Sequence, residues 1–314
     1  MDLRAAQLEF HTLLDKLKPT EVAAFLQWVS NSFDTKPDET SDGNAEAMVT
    51  MHEIIVDLRN KVPINGLLPS EQPLHPEVGV DSDCDPASTV HVDAFLYDDD
   101  DIDCLVEEGR LSRYYCRACG SQVNAPLTFI SHSLSLAQLR YLFTSLLPPD
   151  QLNGKSILDV GSRLGAVLYA AYAYSPGLSS IVGVEMNAEL CALQTDVINK
   201  HLMNDKARVI CDDIRNRPAE ISACDIAILN NVFQFFLPPT EQCLCWTALH
   251  ASLKPGTIVV TSPTVVQLTE HLTLNFDVNS WLVELDSETT AAKHAGANED
   301  LFTECRKLHL YRVA

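Results

Sequence analysis

Residues 156–185 constrain this chain more than any other stretch. They read SILDVGSRLGAVLYAAYAYSPGLSSIVGVE and open on a short apolar run, Ile157-Leu158-Asp159-Val160, that breaks at Gly161. A helical spacing through Leu168, Ala171 and Tyr172 follows, and a second apolar run, Ile181-Val182-Gly183-Val184, ends in Glu185. Strand, glycine turn, helix, strand is the unit of a parallel sheet that binds nucleotides at the carboxyl edge of its strands. Gly161 and Gly165 let the backbone approach a ligand and take up torsions that side chains forbid. Glu185, about 20 residues beyond the turn, stands where an acid accepts hydrogen bonds from a ribose diol.

The spacing of the glycines separates two cofactor classes. A dinucleotide fingerprint reads G-x-G-x-x-G after the strand; here the order is Asp159-x-Gly161-x-Arg163-x-Gly165. That order resembles motif I of the class I S-adenosylmethionine-dependent methyltransferases, D-x-G-x-G-x-G, with Arg163 in place of the middle glycine. The segments downstream keep the order of that family. Ala207–Ile214 reads as a third strand that runs into Asp212 and Asp213, and Asp225–Asn231 as a fourth that ends in Asn230 and Asn231. Leu253-Lys254-Pro255-Gly256 turns into a fifth strand, Thr257–Pro263, and Lys307–Val313 alternates like an edge strand.

The resemblance covers about residues 148–314. It implies an α/β fold, a seven-stranded Rossmann-like methyltransferase sheet with a mostly helical N-terminal extension, and S-adenosylmethionine as cofactor. It implies that Asp159, Gly161, Arg163, Gly165 and Glu185 hold the cofactor. Asp213, or Asp212 beside it, would face the adenine amino group, and Asn230 would lie at the cofactor's reacting end. Val184-Glu185, Asn230–Phe233 and the Lys254–Pro263 stretch are also similar to the histone lysine methyltransferases that lack a SET domain. That family's upstream substrate-loop signature is not in this sequence, and an acidic chain is a poor match to a nucleosome surface. Only the cofactor implication of this second likeness is retained.

The 314 residues are 46% apolar, enough for one large core and an additional small domain. No apolar run approaches the roughly 18 residues of a membrane span. The opening MDLRAAQLEFHTLLDKL alternates apolar and charged residues at helical spacing, unlike a signal peptide. Ten cysteines are scattered rather than spaced as a disulfide frame, which points to a reducing compartment, cytoplasm or nucleus. Of the net charge of −21, 17 units fall within residues 34–108. The C-terminal portion is therefore nearer balance, so nucleic acid stays open as a partner without a basic stripe to argue for it. Asp98–Asp101 reads as a solvated loop; calcium would require alternating ligands and a turn glycine.

Three regions follow. Residues 1–61 are a helical N-terminal region, with stripes over 3–17, 20–33 and about 45–60 and a linker at 34–43. Residues 62–126 are an acidic, proline-containing bridge, with little regular structure expected over 62–91. Residues 127–314 are the S-adenosylmethionine-binding domain, introduced by a helix through Leu136, Leu139, Leu142, Phe143 and Leu146.

The bridge holds Cys116-x-x-Cys119-Gly120, which resembles one knuckle of a zinc ribbon. Zinc needs four ligands, and Cys84, Cys104, His91 and His132 are candidates to complete the set; a reduced pair on a turn is the plainer reading. Arg163 has three readings: it points away from the cofactor, it pairs with the cofactor's methionine carboxylate, or it blocks the pocket. Asn230 and Asn231 are the candidate catalytic pair, since an Asn carbonyl at this strand tip can hold an amine or amide nitrogen in line with the methyl group. Phe233, Phe235 and Phe236 follow and either wall the target or seal the sheet edge. Val232 and Phe233 stand where nucleic-acid amino-methylating enzymes carry prolines. The expectation is therefore a methyltransferase acting on a protein side chain. The alternatives are RNA or a small molecule as acceptor, or a non-catalytic protein that binds S-adenosylmethionine to regulate.

Overall fold

A computed structural model of the chain describes residues 41–71, 89–112, 114–116, 124–126 and 128–314. The helices expected over 3–17 and 20–33, the linker up to residue 40, Cys84 and Cys119 lie outside the described residues. The chain divides into two compact units, Met1–Glu46 and Ala47–Ala314. The described part of the first is the opening of helix α1, Ser41–Arg59.

Among the described residues the principal sheet has seven strands. They are β1 (Ser156–Val160), β2 (Ser180–Glu185), β3 (Ala207–Cys211), β4 (Ile226–Asn230), β5 (Ile258–Ser262), β6 (Leu282–Leu285) and β7 (His309–Val313). Their order across the sheet is β3-β2-β1-β4-β5-β7-β6. The first five are parallel, and β7 runs antiparallel to both β5 and β6. The order reverses at β1, between β2 and β4, and that switch point opens a crevice beyond the carboxyl ends of the strands.

Both faces of the sheet are covered, so its strands are apolar throughout instead of alternating with polar residues. Ile157, Ile181, Ile226, Ile228 and Val260 pack to one side; Leu158, Val182, Ala227, Leu229 and Val259 pack to the other. The first side is closed by helices α2 (Leu136–Tyr141) and α3 (Ala166–Tyr174) and by the stripe Ala47, Met51, Ile54, Ile55 and Leu58 of α1. On the second, Phe233, Trp246 and Trp281 meet edge to face, with centroids 5.9 and 6.5 Å apart.

Four expectations need correction. The strand at 309–313 is interior, flanked by β5 and β7's other neighbour β6; the edge is Leu282–Leu285, too short and too exposed to show a pattern. Asp98–Asp101 is not a loop. Asp98 caps the helix Asp99–Glu107 through a capping box with Asp101, and the acids of its first turn complement the helix dipole. Thr89–His91, at the end of the stretch read as irregular, is a strand that pairs in parallel with Thr128–Ile130. The helix read through Leu146 is α-helical only to Tyr141, then widens into a π turn over Leu142–Leu146.

Leu158 is 1% exposed at the centre of the sheet. Leu158→Ala is expected to cost about 2–5 kcal/mol, read as a lower urea midpoint at unchanged slope.

Candidate functional site

The switch-point crevice is a cavity of about 640 Å³, within the range of small-molecule sites. Its floor is the turn after β1. Gly161 has φ +71°, and its N–H donates to the Val184 carbonyl at 2.8 Å. A Cβ at Gly161 would lie 2.3 Å from Cγ2 of Val232, so this position admits no side chain. Arg163 is also left-handed, at φ +46°. Gly165, at φ +84°, starts α3 and leaves room for the Tyr169 ring, away from the cavity.

Glu185 ends β2 and faces the cavity. Its two carboxylate oxygens accept the backbone N–H groups of Arg163 at 3.0 Å and Asn187 at 2.8 Å. Burial raises its pKa, and those amides oppose the rise. Asn187 in turn caps helix α4, Ala188–Lys200, so the acid and the helix start are set by one turn.

Beside Glu185 stand Asp212 and Asp213, just beyond β3, with the Asp212 N–H donating to the Glu185 carbonyl at 2.9 Å. Asp213 accepts Arg215, which holds its carboxyl below the usual range, and Arg215 also pairs with Glu241. The Asn216 amide and then Arg217 hold Asp212 low. Both acids are therefore ionised at neutral pH. At the far end β4 delivers Asn230, whose Nδ2 donates to the His132 carbonyl at 3.3 Å. Asn231 follows at φ +45°, its N–H donating to the Ser262 carbonyl at 2.7 Å. Phe233 and Phe236 line the cavity, whereas Phe235 packs behind them against His132.

Arg163 reaches away from the sheet. Its Nε lies 3.1 Å from Glu71, one terminal nitrogen lies 2.7 Å from Asp93, and the other donates to the Gly66 carbonyl. The side chains of Arg163, Glu71 and Asp93 are 7%, 4% and 1% exposed, so this is a buried cluster. Ser133 donates to Asp93 at 2.7 Å and completes it. Glu71 and Ser70 also line the cavity, and Ser70 reaches Asn187 and Glu189 on its other rim.

Gly161, Arg163, Glu185, Asp212, Asp213, Asn230 and Asn231 are thus brought to one cavity, while Asp159 and Gly165 lie outside its lining. Sequence reading overlooked Ser70, Glu71 and Asp93, which stand 40 to 119 residues from the groups they meet. It weighed His132 only as a zinc ligand. Cys116 ends the strand Tyr114–Cys116, which pairs antiparallel with Asn124–Pro126, and Cys119 lies outside the described residues; zinc is not supported. Among the described residues no cluster of metal-ligating side chains is present, and no helix is long and apolar enough to cross a membrane.

No family model matches the chain. Curated relatives include a carboxy-S-adenosyl-L-methionine synthase from Chromohalobacter salexigens, 30% identical over 135 residues, covering 42% of this chain and 46% of the relative. Another, from Hydrogenovibrio crunogenus, is 25% identical over 164 residues, covering 50% of this chain and 63% of the relative. The chain spans about half to under two thirds of the length of these relatives. Similar solved structures include an RNA methyltransferase from Salinibacter ruber in complex with S-adenosyl-L-homocysteine, at 19% identity and TM-score 0.33, covering 54% of this chain and 86% of that one. An O-methyltransferase from Bacillus cereus matches at 16% identity and TM-score 0.34, covering 56% and 69%. The strand order, with its antiparallel β7 and the glycine turn after β1, is that of the class I S-adenosylmethionine-dependent methyltransferase fold.

Asp159 sits in β1 opposite Gly183, 4% exposed; burial, with the Glu185 charge adding to it, pushes its pKa up to about 8. A carboxyl raised in the folded protein holds its proton there while the unfolded chain has released it. Stability therefore falls as pH climbs from about 4 to about 8. Asp159→Asn removes this dependence: relative to the wild type, the variant gains stability between about pH 5 and 8 in paired urea titrations. A pH-independent difference would contradict a protonated Asp159.

Proposed function

We propose that the chain is an S-adenosylmethionine-dependent methyltransferase that acts on a nitrogen of a protein side chain. The observation that carries this reading is the charge layout of one cavity. Acids for the ribose and adenine, Glu185 and Asp212–Asp213, stand on one side, and the neutral amide and aromatic groups Asn230, Phe233 and Phe236 on the other. The donor set fits the cofactor: a half-buried carboxylate suits a diol, and ionised acids suit an exocyclic amine and a sulfonium.

When bound, the cofactor supplies a methyl group on a positively charged sulfur. The chain's own residues bind, orient and exclude water. Glu185 is fixed by two backbone amides before any ligand arrives, so its lone pairs are already aimed. Asn230 is held by the His132 carbonyl, which orients its amide at the acceptor end. Phe233 and Phe236 keep that end dry. Arg163 acts as a fastener of the loop to Gly66, Glu71 and Asp93, which already occupy its guanidinium.

The relatives' name raises a second reading, formation of a carboxylated cofactor. The cavity's charge weighs against it. Arg163 is the one Lys or Arg among the described lining residues, and it is paired; Glu71, Glu185, Glu189, Asp212 and Asp213 share that lining. A further carboxylate would meet carboxylates.

Calorimetry with S-adenosylhomocysteine is the first test. Glu185→Ala is expected to lose roughly 2–4 kcal/mol of affinity; no heat from the wild-type protein would end the cofactor reading. Labelled S-adenosylmethionine with a lysate separated into protein, RNA and metabolites then identifies the acceptor, and label is expected in the protein fraction. Asn230→Ala should keep S-adenosylhomocysteine affinity while transfer falls about a hundredfold or more, since the loss lies in the transition state. Binding without transfer to any fraction would favour a regulatory role.

A further inference from the structure

Two thiols meet behind the acids of the cofactor site. Cys211 ends β3 and is exposed, whereas Cys191 lies one turn into α4 and is 6% exposed. Cys211 pairs in register with Glu185, the last residue of β2. The Cys191 thiol donates to the Glu185 carbonyl at 3.2 Å, and the Cys211 sulfur lies 4.0 Å from the Met186 carbonyl oxygen. The two sulfurs thus rest on successive carbonyls of one turn, each beside the other. A disulfide spans Cα atoms roughly 4.4–6.8 Å apart. Cys211 is a strand neighbour of Glu185, about 5 Å away, and Cys191 reaches the same residue from the helix. Neither cysteine lines the cavity, but their chain neighbours Leu190 and Asp212 do.

We infer that Cys191 and Cys211 are an oxidation site, a pair that hydrogen peroxide converts to a disulfide and that then weakens the hold on the cofactor. This rests on the cofactor reading and adds regulation to it. The exposed Cys211 meets the oxidant first. Its sulfur attacks one peroxide oxygen; the sulfur–oxygen bond forms as the oxygen–oxygen bond breaks, and the thiol's proton leaves with the other oxygen as water. The Cys191 sulfur then attacks the sulfenic sulfur of Cys211. A sulfur–sulfur bond forms, the sulfur–oxygen bond breaks, and the Cys191 proton departs with the hydroxyl as a second water. The two sulfurs lose two electrons and the two peroxide oxygens gain them.

The two thiols are unequal in the way this order of events requires. Burial, then Cys211 beside it and the Glu185 charge, push the Cys191 thiol up to about 12. It stays protonated and sheltered from the oxidant, and its reach is limited to the sulfur it already touches. The bond then disturbs the site from behind. It consumes the S–H that Cys191 gives to the Glu185 carbonyl and leaves that carbonyl to the Asp212 N–H at 2.9 Å. Drawing the sulfurs to the roughly 2.05 Å of a disulfide pulls the start of α4 toward the end of β3. Asn187, whose N–H fixes the Glu185 carboxylate and whose side chain caps α4, moves with the helix, and Asp212 moves with the strand. The acids that serve ribose and adenine are shifted together.

The test treats the full chain with hydrogen peroxide, blocks the remaining thiols, and pairs a non-reducing peptide map with calorimetry on S-adenosylhomocysteine. Trypsin cuts after Arg163, Lys200, Arg208 and Arg215, so each thiol stands alone in its own peptide, 164–200 and 209–215. The two peptides are expected to appear joined, two hydrogens lighter than their sum. The dissociation constant is expected to rise about tenfold, and dithiothreitol to reverse both changes. That reversal separates the pair from oxidation of the exposed Met186, which a thiol reductant does not undo. Cys211→Ser and Cys191→Ser are each expected to bind S-adenosylhomocysteine within about threefold of the reduced wild type and to keep that affinity under peroxide; the exposed Cys211 position suffices should the buried one fail to fold. No joined peptide at a dose that oxidises the exposed Cys104 would overturn the assignment. So would a joined peptide with unchanged affinity, or a loss of affinity that persists in Cys211→Ser. A reduced protein that gives no heat ends the cofactor reading and the switch with it, and a joined peptide in that protein shows that the thiols were not at fault.

Discussion

The buried guanidinium of Arg163 is the contact on which the site's geometry depends. It arises in the loop after β1, where a side chain at φ +46° is held in a region that glycine enters freely. The strain is tolerated because the side chain it projects meets two carboxylates and a carbonyl at once. Removing either carboxylate would leave a buried charge under-compensated, which typically costs about 3–5 kcal/mol. The pairing does more than stabilise. It ties Gly66, Glu71 and Asp93 to the loop, brings Ser70 and Glu71 to the cavity rim and sets Asp93 beside Ser133. The segment before the methyltransferase sheet thus becomes part of the wall of its site.

Much of this architecture was legible in the sequence, for a physical reason. Parallel strands buried on both faces must be short apolar runs, and β1, β2, β4 and β5 are such runs; their order then follows from the βα connections. The tip residues Glu185, Asp212, Asp213 and Asn230 could be placed because strand ends mark the carboxyl edge. The edge strand Leu282–Leu285 was hidden by its length and by two exposed residues in four. Asp98–Asp101 was misread because composition describes solvation and says nothing of a cap, which depends on where the next helix starts.

The direction of Arg163 could not be read at all. Whether it points away from the cofactor, pairs with the cofactor's carboxylate or blocks the pocket is decided by two acids that lie in the bridge, 92 and 70 residues earlier in the chain. The same holds for His91 and His132, 41 residues apart, whose rings meet at 3.0 Å beside a two-stranded sheet of three residues a side. Residue types announced that chemistry was available; only the packing of the bridge against the strand tips decided what it would be.

The Asn230 side chain has one further consequence. A primary amide is nearly symmetric in shape and opposite in polarity at its two ends, so an unrestrained one can turn to greet a donor or an acceptor alike. The backbone carbonyl of His132 removes that freedom by claiming the nitrogen. The oxygen then keeps one fixed place, and where it stands it sorts by sign: a group carrying hydrogen finds a partner there, while a carbonyl or carboxylate finds a lone pair facing its own. The mouth of the site thereby behaves as a polarity filter, set by a peptide bond that no side-chain substitution at position 132 would erase.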